Sequence, residues 1–217
     1  MKKTTVVFDL DGTLLDTLQD LANAVNYALE KQGMPKRTLE EVRQFVGNGV
    51  RLLMIRAVPD GERNPLFEET FALFKEYYGK HCNDNTKPYA GVVELIETLK
   101  EKGYAVAIVS NKIDFAVKEL NDLYFKGIVP AAIGEKEGIR RKPAPDTVFE
   151  ALKELGKTKE EAVYVGDSDV DLETAKNSGM PCISVLWGFR DKEFLAEHGV
   201  ERYAKTAEDV LRFVEEM

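Results

Sequence analysis

Four short apolar or β-branched runs, at residues 4–8, 104–110, 162–165 and 182–186, punctuate this chain, each followed by polar residues or glycine. Runs that stay apolar on consecutive residues suit strands covered on both faces. Between and after them lie segments with the three-four apolar spacing of helices, at 91–101, 115–123, 146–155 and 170–178. Strands alternating with helices specify an α/β fold, a Rossmann-like parallel sheet with helices on both faces. A short extra strand is expected near 128–133, and a closing amphipathic helix at 207–216.

Residues 17–86 break the alternation. Leu18, Leu21, Ala22, Val25, Ala28 and Leu29 follow helical spacing, as do Phe67, Phe71, Phe74 and Tyr78, with shorter helices expected at 42–45 and 50–57. No strand is expected here, so the stretch reads as an all-helical domain inserted after the first strand. The two-part core is then 1–16 with 87–217, and the polar, proline-containing return at 83–91 acts as a linker. The aromatic stripe at 67–78 reads as the core of the helical bundle rather than a cofactor box.

A hydrophobic share of 44% over 217 residues is enough for a substantial core. No apolar stretch reaches membrane-spanning length and the start lacks a signal-peptide pattern, so a cytoplasmic location is expected. The formal net charge of −8 argues against nucleic acid or an anionic membrane as partner. Cys82 and Cys182, like His81 and His198, stand alone, so any metal is expected to be bound by oxygen. No surface stripe announces a partner chain, and monomer and homodimer both stay open.

The first run ends in Asp9-Leu10-Asp11-Gly12-Thr13-Leu14. Carboxylates at the carboxyl end of a buried strand sit where open α/β sheets place their ligands. Two such charges about 4 Å apart repel by about 4 kcal/mol at an effective dielectric of about 20, so a cation, a proton or solvent must relieve them. An ordinary Asp-Gly turn after a strand is the plainer reading, and it predicts no matching groups elsewhere.

Matching groups do occur. Ser110-Asn111-Lys112 closes the second major run and offers a hydroxyl and amides to an anion, although Ser-Asn also makes a helix cap. In Arg140-Arg141-Lys142-Pro143-Ala144-Pro145-Asp146, the prolines stiffen the loop behind Lys142, whereas Arg140 and Arg141 read as solvated. Gly166-Asp167-Ser168-Asp169-Val170-Asp171 ends the third run, and four-residue spacing turns Asp167 and Asp171 to one side of the following helix while Asp169 is expected to face solvent. If these strands are neighbours, their carboxylates converge on an oxygen-rich pocket suited to Mg²⁺, with the lysine and amides suited to a phosphate.

The chain resembles the haloacid dehalogenase superfamily of phosphatases. The resemblance rests on Asp-x-Asp-Gly-Thr-Leu at 9–14, Ser110, Lys142 ahead of Pro-x-Pro, and Gly-Asp-x-x-x-Asp at 166–171, and it spans the whole length, including the place of a helical cap at 17–86. It implies that Asp9 is the nucleophile forming an aspartyl-phosphate and that Asp11 is the general acid and then base. It implies Mg²⁺ held by Asp9, Asp167 and the Asp11 backbone carbonyl, with Asp171 in support, and Ser110 and Lys142 on the phosphoryl oxygens. Thr13, Asn111, Gly47, Asn48 and Arg51 are expected on the substrate side.

Within the superfamily the chain is most similar to phosphoglycolate phosphatase-like proteins, through Asp16-Thr17, the cap stretch 45–51 and Trp187-Gly188-Phe189. The implied activity is Mg²⁺-dependent hydrolysis of a small phosphorylated metabolite, with pyrophosphatase or 5′-nucleotidase activity as alternatives. Asp11 disfavours the dehalogenase branch, which lacks that aspartate, and 47–56 holds no lysine for phosphonatase chemistry. A β-phosphoglucomutase-like enzyme would have histidine where this chain has Leu21. A non-catalytic binding module would have lost one of the aspartates, and none is lost.

Overall fold

The computed structural model describes residues 2–217. In chain order the elements are β1 (Thr5–Phe8), β2 (Leu15–Asp16), α1 (Leu18–Lys31), α2 (Leu39–Phe45), α3 (Val50–Ala57), α4 (Phe67–His81), β3 (Lys87–Pro88), α5 (Val92–Glu101), β4 (Ala105–Ile113) and α6 (Asp114–Tyr124). They continue with β5 (Ala131–Glu135), α7 (Asp146–Leu155), β6 (Ala162–Gly166), α8 (Asp169–Ser178), β7 (Cys182–Val185), α9 (Lys192–Glu197), β8 (Tyr203–Ala204) and α10 (Ala207–Glu215). Two compact units result, one of Met1–Leu14 with Pro88–Met217 and the other of Leu15–Lys87.

The first unit is built on a parallel six-stranded sheet in the order β5-β4-β1-β6-β7-β8. Because side chains alternate across a strand, Val7, Ala107, Val109, Ile133 and Tyr164 share one face and pack against Val148, Ala151 and Leu152 of α7 and Ala175 of α8. Val6, Phe8, Val106, Ile108, Val163 and Val165 are equally buried on the other face, the side of α5 and α10. Burial on both faces is why these strands read as unbroken apolar runs.

The strand foreseen at 128–133 begins only at Ala131. Pro130 cannot donate to a ladder and Gly127 takes a positive φ of 73°, so the residues before it form a turn. β4 instead runs on through Ser110, Asn111 and Lys112 to Ile113, with a register shift between Val109 and Ile113. Helix α9 and the two-residue strand β8, neither foreseen, complete the sheet's far edge.

The second unit is four helices around its own core, including Leu21, Val25, Leu29, Val42, Leu53, Met54, Phe67 and Phe74. The aromatic stripe is that core: Phe67, Phe71, Phe74 and Tyr78 stack in series along α4. Helix α2 starts at a capping box in which Thr38 and Glu41 each bond the other's backbone amide. No helix among the described residues is long and apolar enough to cross a membrane.

Candidate active site

Sheet register decides what can meet. Phe8 of β1 is level with Ile108 of β4 on one side and with Val165 of β6 on the other. Asp9 therefore leaves the sheet beside Gly166-Asp167 and just below Ser110, and its backbone N–H still bonds the Val165 carbonyl at 2.9 Å. The three motifs read as strand ends are ends of adjacent strands.

Lys142 closes the constellation. Its buried ammonium donates to Asp9 Oδ1 at 2.7 Å, Asp171 Oδ1 at 2.8 Å and the Tyr164 hydroxyl at 3.1 Å. Its backbone is fixed from β4: Asn111 Nδ2 donates to the Lys142 carbonyl at 3.0 Å and Asn111 Oδ1 accepts from the Lys142 N–H at 2.8 Å. The loop then turns through a cis Lys142–Pro143 bond.

Asp9, Asp167 and Asp171 are buried, and each offers a carboxylate oxygen within 4.8 Å of the others. Asp171 is saturated: Oδ1 accepts from Lys142 and from the Tyr164 hydroxyl at 3.0 Å, and Oδ2 accepts from Ser168 Oγ at 2.6 Å and the Ser168 and Asp167 amides. These bonds hold the Lys142 ammonium and the turn from β6 into α8. Asp167 Oδ2 accepts from the Phe189 N–H at 2.7 Å, and Thr13 Oγ1 lies 3.4 Å from Oδ1.

Three carboxylates face one ammonium, so the buried centre is short of positive charge. Burial, and then the neighbouring Asp171, push the Asp9 carboxyl well above the usual range. The same causes push Asp167 up to about 7. For Lys142, burial acts to lower the value, but Asp171 and Asp9 outweigh it and keep the ammonium charged. An all-oxygen donor set with excess negative charge fits a hard divalent cation.

Glycines let the backbone close on this centre. A Cβ on Gly188 would collide with the Asp167 side chain and reach 2.5 Å from the Gly12 carbonyl oxygen. One on Gly12, where φ is +88°, would stand 2.5 Å from Asp167 Oδ2. One on Gly166 would collide with Asp171. Only glycine admits so close an approach.

Asp11 stands apart from the trio. Its carboxylate meets Ser110 Oγ at 3.5 Å and the buried Lys112 ammonium at 3.3 Å, and Ser110 Oγ accepts from the Lys112 N–H at 3.1 Å. Direct contacts thus form two groups, Asp11 with Ser110 and Lys112, and Asp9, Asn111, Lys142, Asp171, Asp167 and Thr13. Of the residues expected on the substrate side, Thr13 Oγ1 lies against Asp167 and the Asn111 side chain bonds the Lys142 backbone. Asp169 stays outside the carboxylate cluster, partly exposed and 3.8 Å from Arg190.

Gly47, Asn48 and Arg51 belong to the second unit. Gly47 and Asn48 take positive φ values of 125° and 61° on the way into α3. Arg51 pairs with Glu62 at 2.9 Å and Glu68 at 2.6 Å and lies over the rings of Phe67 and Phe71.

Sequence reasoning missed Tyr164, Lys112 and the Phe189 amide. A phenol in an otherwise aliphatic strand two residues before Gly166, and a lysine directly after Ser110-Asn111, were the available signals.

Among known proteins, the profile of the haloacid dehalogenase-like hydrolases matches residues 6–185. The chain belongs to that family. It is an enzyme of the phosphatase kind, similar to the phosphoglycolate phosphatases. It is 35% identical over 185 residues to the phosphoglycolate phosphatase of Aquifex aeolicus, covering 85% of each chain. It is also 35% identical over 216 residues to phosphoglycolate phosphatase 1 of Pseudomonas aeruginosa, covering 95% of this chain and 78% of that one. A crystal structure from Lactobacillus delbrueckii subsp. bulgaricus, named as a candidate phosphoglycolate phosphatase, superposes with a TM-score of 0.95 at 38% identity and full coverage of both chains.

Proposed function

We propose that this chain hydrolyses small phosphate monoesters with Mg²⁺, through an aspartyl-phosphate on Asp9, and that 2-phosphoglycolate is among its substrates. The observation that carries the reading is the Lys142 ammonium fixed between Asp9 and Asp171, with Asp167 alongside.

Asp9 and Asp167, with the backbone carbonyl of Asp11, would hold the ion. When bound, it neutralises the buried carboxylates and draws charge from the phosphoryl oxygens. Lys142 grips Asp9 Oδ1, which leaves Oδ2 to attack phosphorus in line with the leaving oxygen. The bond from phosphorus to the leaving oxygen breaks as Asp11 gives that oxygen its proton. Water then attacks the same phosphorus, Asp11 takes the proton back, and the bond to Asp9 breaks to release phosphate. Lys142 and Ser110 stabilise charge on the transferring group, the dominant demand in phosphoryl transfer.

The phosphoglycolate assignment draws on the relatives' names and on the length of chain shared with them. Release of phosphate from p-nitrophenyl phosphate with Mg²⁺ tests the activity. Turnover by the wild type, and none by Asp9→Asn, is expected. Equal turnover by both, or no turnover by either across a broad phosphate panel, refutes the reading.

A further inference from the structure

The reaction above draws on the ends of β1, β4 and β6, and a fourth strand end reaches the same place. β7 lies beside β6, and the chain that leaves it, Leu186-Trp187-Gly188-Phe189, crosses to the turn after β1. Its start is anchored to the sheet edge, since the Leu186 N–H donates to the Ala204 carbonyl of β8 at 2.9 Å. Its far end holds Asp167 through the Phe189 N–H. Between the two, the indole Nε1–H of Trp187 donates to the Thr13 carbonyl at 3.0 Å, across 174 positions of chain.

Thr13 closes the turn that carries the Asp11 carbonyl: the Thr13 and Leu14 N–H groups both donate to the Leu10 carbonyl, at 3.3 and 2.9 Å. Thr13 is also held from two sides, its Oγ1 3.4 Å from Asp167 Oδ1 and its carbonyl on the indole. The Trp187 ring is braced in turn by Tyr89, with ring centroids 6.4 Å apart and planes tilted by 51°. The Tyr89 N–H donates to the Leu14 carbonyl at 3.1 Å, one residue beyond the indole's own acceptor. We infer that Trp187 is a positioning residue for the metal site: by fixing Thr13 it sets where the Asp11 carbonyl stands relative to Asp167. This rests on the assignment of the ion to those two groups above. Hydrogen bonds behind a metal ligand fix its direction, and their loss weakens the metal rather than the fold alone. The ion and the indole act on one turn, so each must feel the other by the same free energy.

Trp187 is the single tryptophan of the chain, so the protein's indole emission reports on this contact alone. In the test, Mg²⁺ is titrated into the metal-free protein while calorimetry follows binding and the emission of Trp187 is recorded. A saturable change in emission at the calorimetric midpoint is expected. Trp187→Phe, which keeps a ring and loses the N–H, should raise the calorimetric Kd for Mg²⁺ by about tenfold. If that variant does not fold, the wild-type emission decides. Emission that stays constant while calorimetry shows Mg²⁺ bound overturns the inference and leaves the phosphatase reading intact. So does a folded Trp187→Phe protein with wild-type Mg²⁺ affinity, whatever its thermal stability, since the ring would then serve packing alone. A wild type that binds no Mg²⁺ overturns both readings.

Discussion

Lys142 Nζ lies 2.7 Å from Asp9 Oδ1 although 133 positions separate the two residues in the chain. The pair exists because β1 supplies Asp9 at a strand end, the Asn111 amide clamps the Lys142 backbone, and Asp171 shares the ammonium from the far side. Structure and chemistry depend on the same balance of charge.

Removal of that ammonium should therefore cost both. Lys142→Met leaves three buried carboxylates facing one another, and breaking a buried pair from one side costs about 3–5 kcal/mol. Urea unfolding at pH 8 without metal should show a loss of that order, with turnover reduced by about a thousandfold or more. An unfolding midpoint equal to wild type would mean the carboxylates are relieved by some other group.

The pH dependence of the metal-free protein follows from Asp167 together with Asp9, whose carboxyls are both held up in the folded chain. Burial and the neighbouring Asp171 push the Asp167 carboxyl up to about 7 in the folded chain, whereas an unfolded aspartate lies at about 3.9. Between those values the folded state binds more protons, so stability is greatest on the acid side and falls as pH rises from about 4 to about 7. Unfolding in chelator at pH 5 and pH 8 should show the higher midpoint at pH 5, and Asp167→Asn should reduce the difference, leaving the part due to Asp9, and raise stability at pH 8. Stability that rises over this range would contradict the charge balance described.

Close approach of glycine backbone gives a steric prediction. Gly188→Ala places a methyl group against Asp167, and overpacking of this kind costs about 1–3 kcal/mol. Because Asp167 must shift, the Mg²⁺ concentration for half-maximal activity should rise as well. Gly79→Ala, where nothing lies within 4 Å, is the control and should leave both quantities close to wild type or slightly improved. A Gly188→Ala protein with unaltered metal dependence would remove Asp167 from the proposed ligand set.

What the sequence disclosed and what it hid have physical reasons. β1, β4 and β6 were legible because strands buried on both faces leave unbroken apolar runs, and Asp9, Ser110 and Asp167 were legible because strand ends are where such sheets expose polar groups. Tyr164 was hidden because its ring fills the core like any apolar side chain, and only its hydroxyl joins the site. Lys112 was hidden because a reader of the sequence ends β4 at Ser110, whereas the strand bulges and continues to Ile113. Gly188 looks like loop punctuation until Asp167 is found against it. β8 contributes two residues, too few for any periodicity to register.

The stereochemical course at phosphorus tests the central claim most directly. A phosphate monoester made chiral with one sulfur and oxygen isotopes is hydrolysed in isotopically labelled water, and the configuration of the released thiophosphate is determined. Two in-line displacements, first by Asp9 and then by water, predict net retention. Net inversion would mean that water attacks the substrate directly and that Asp9 never carries the phosphoryl group.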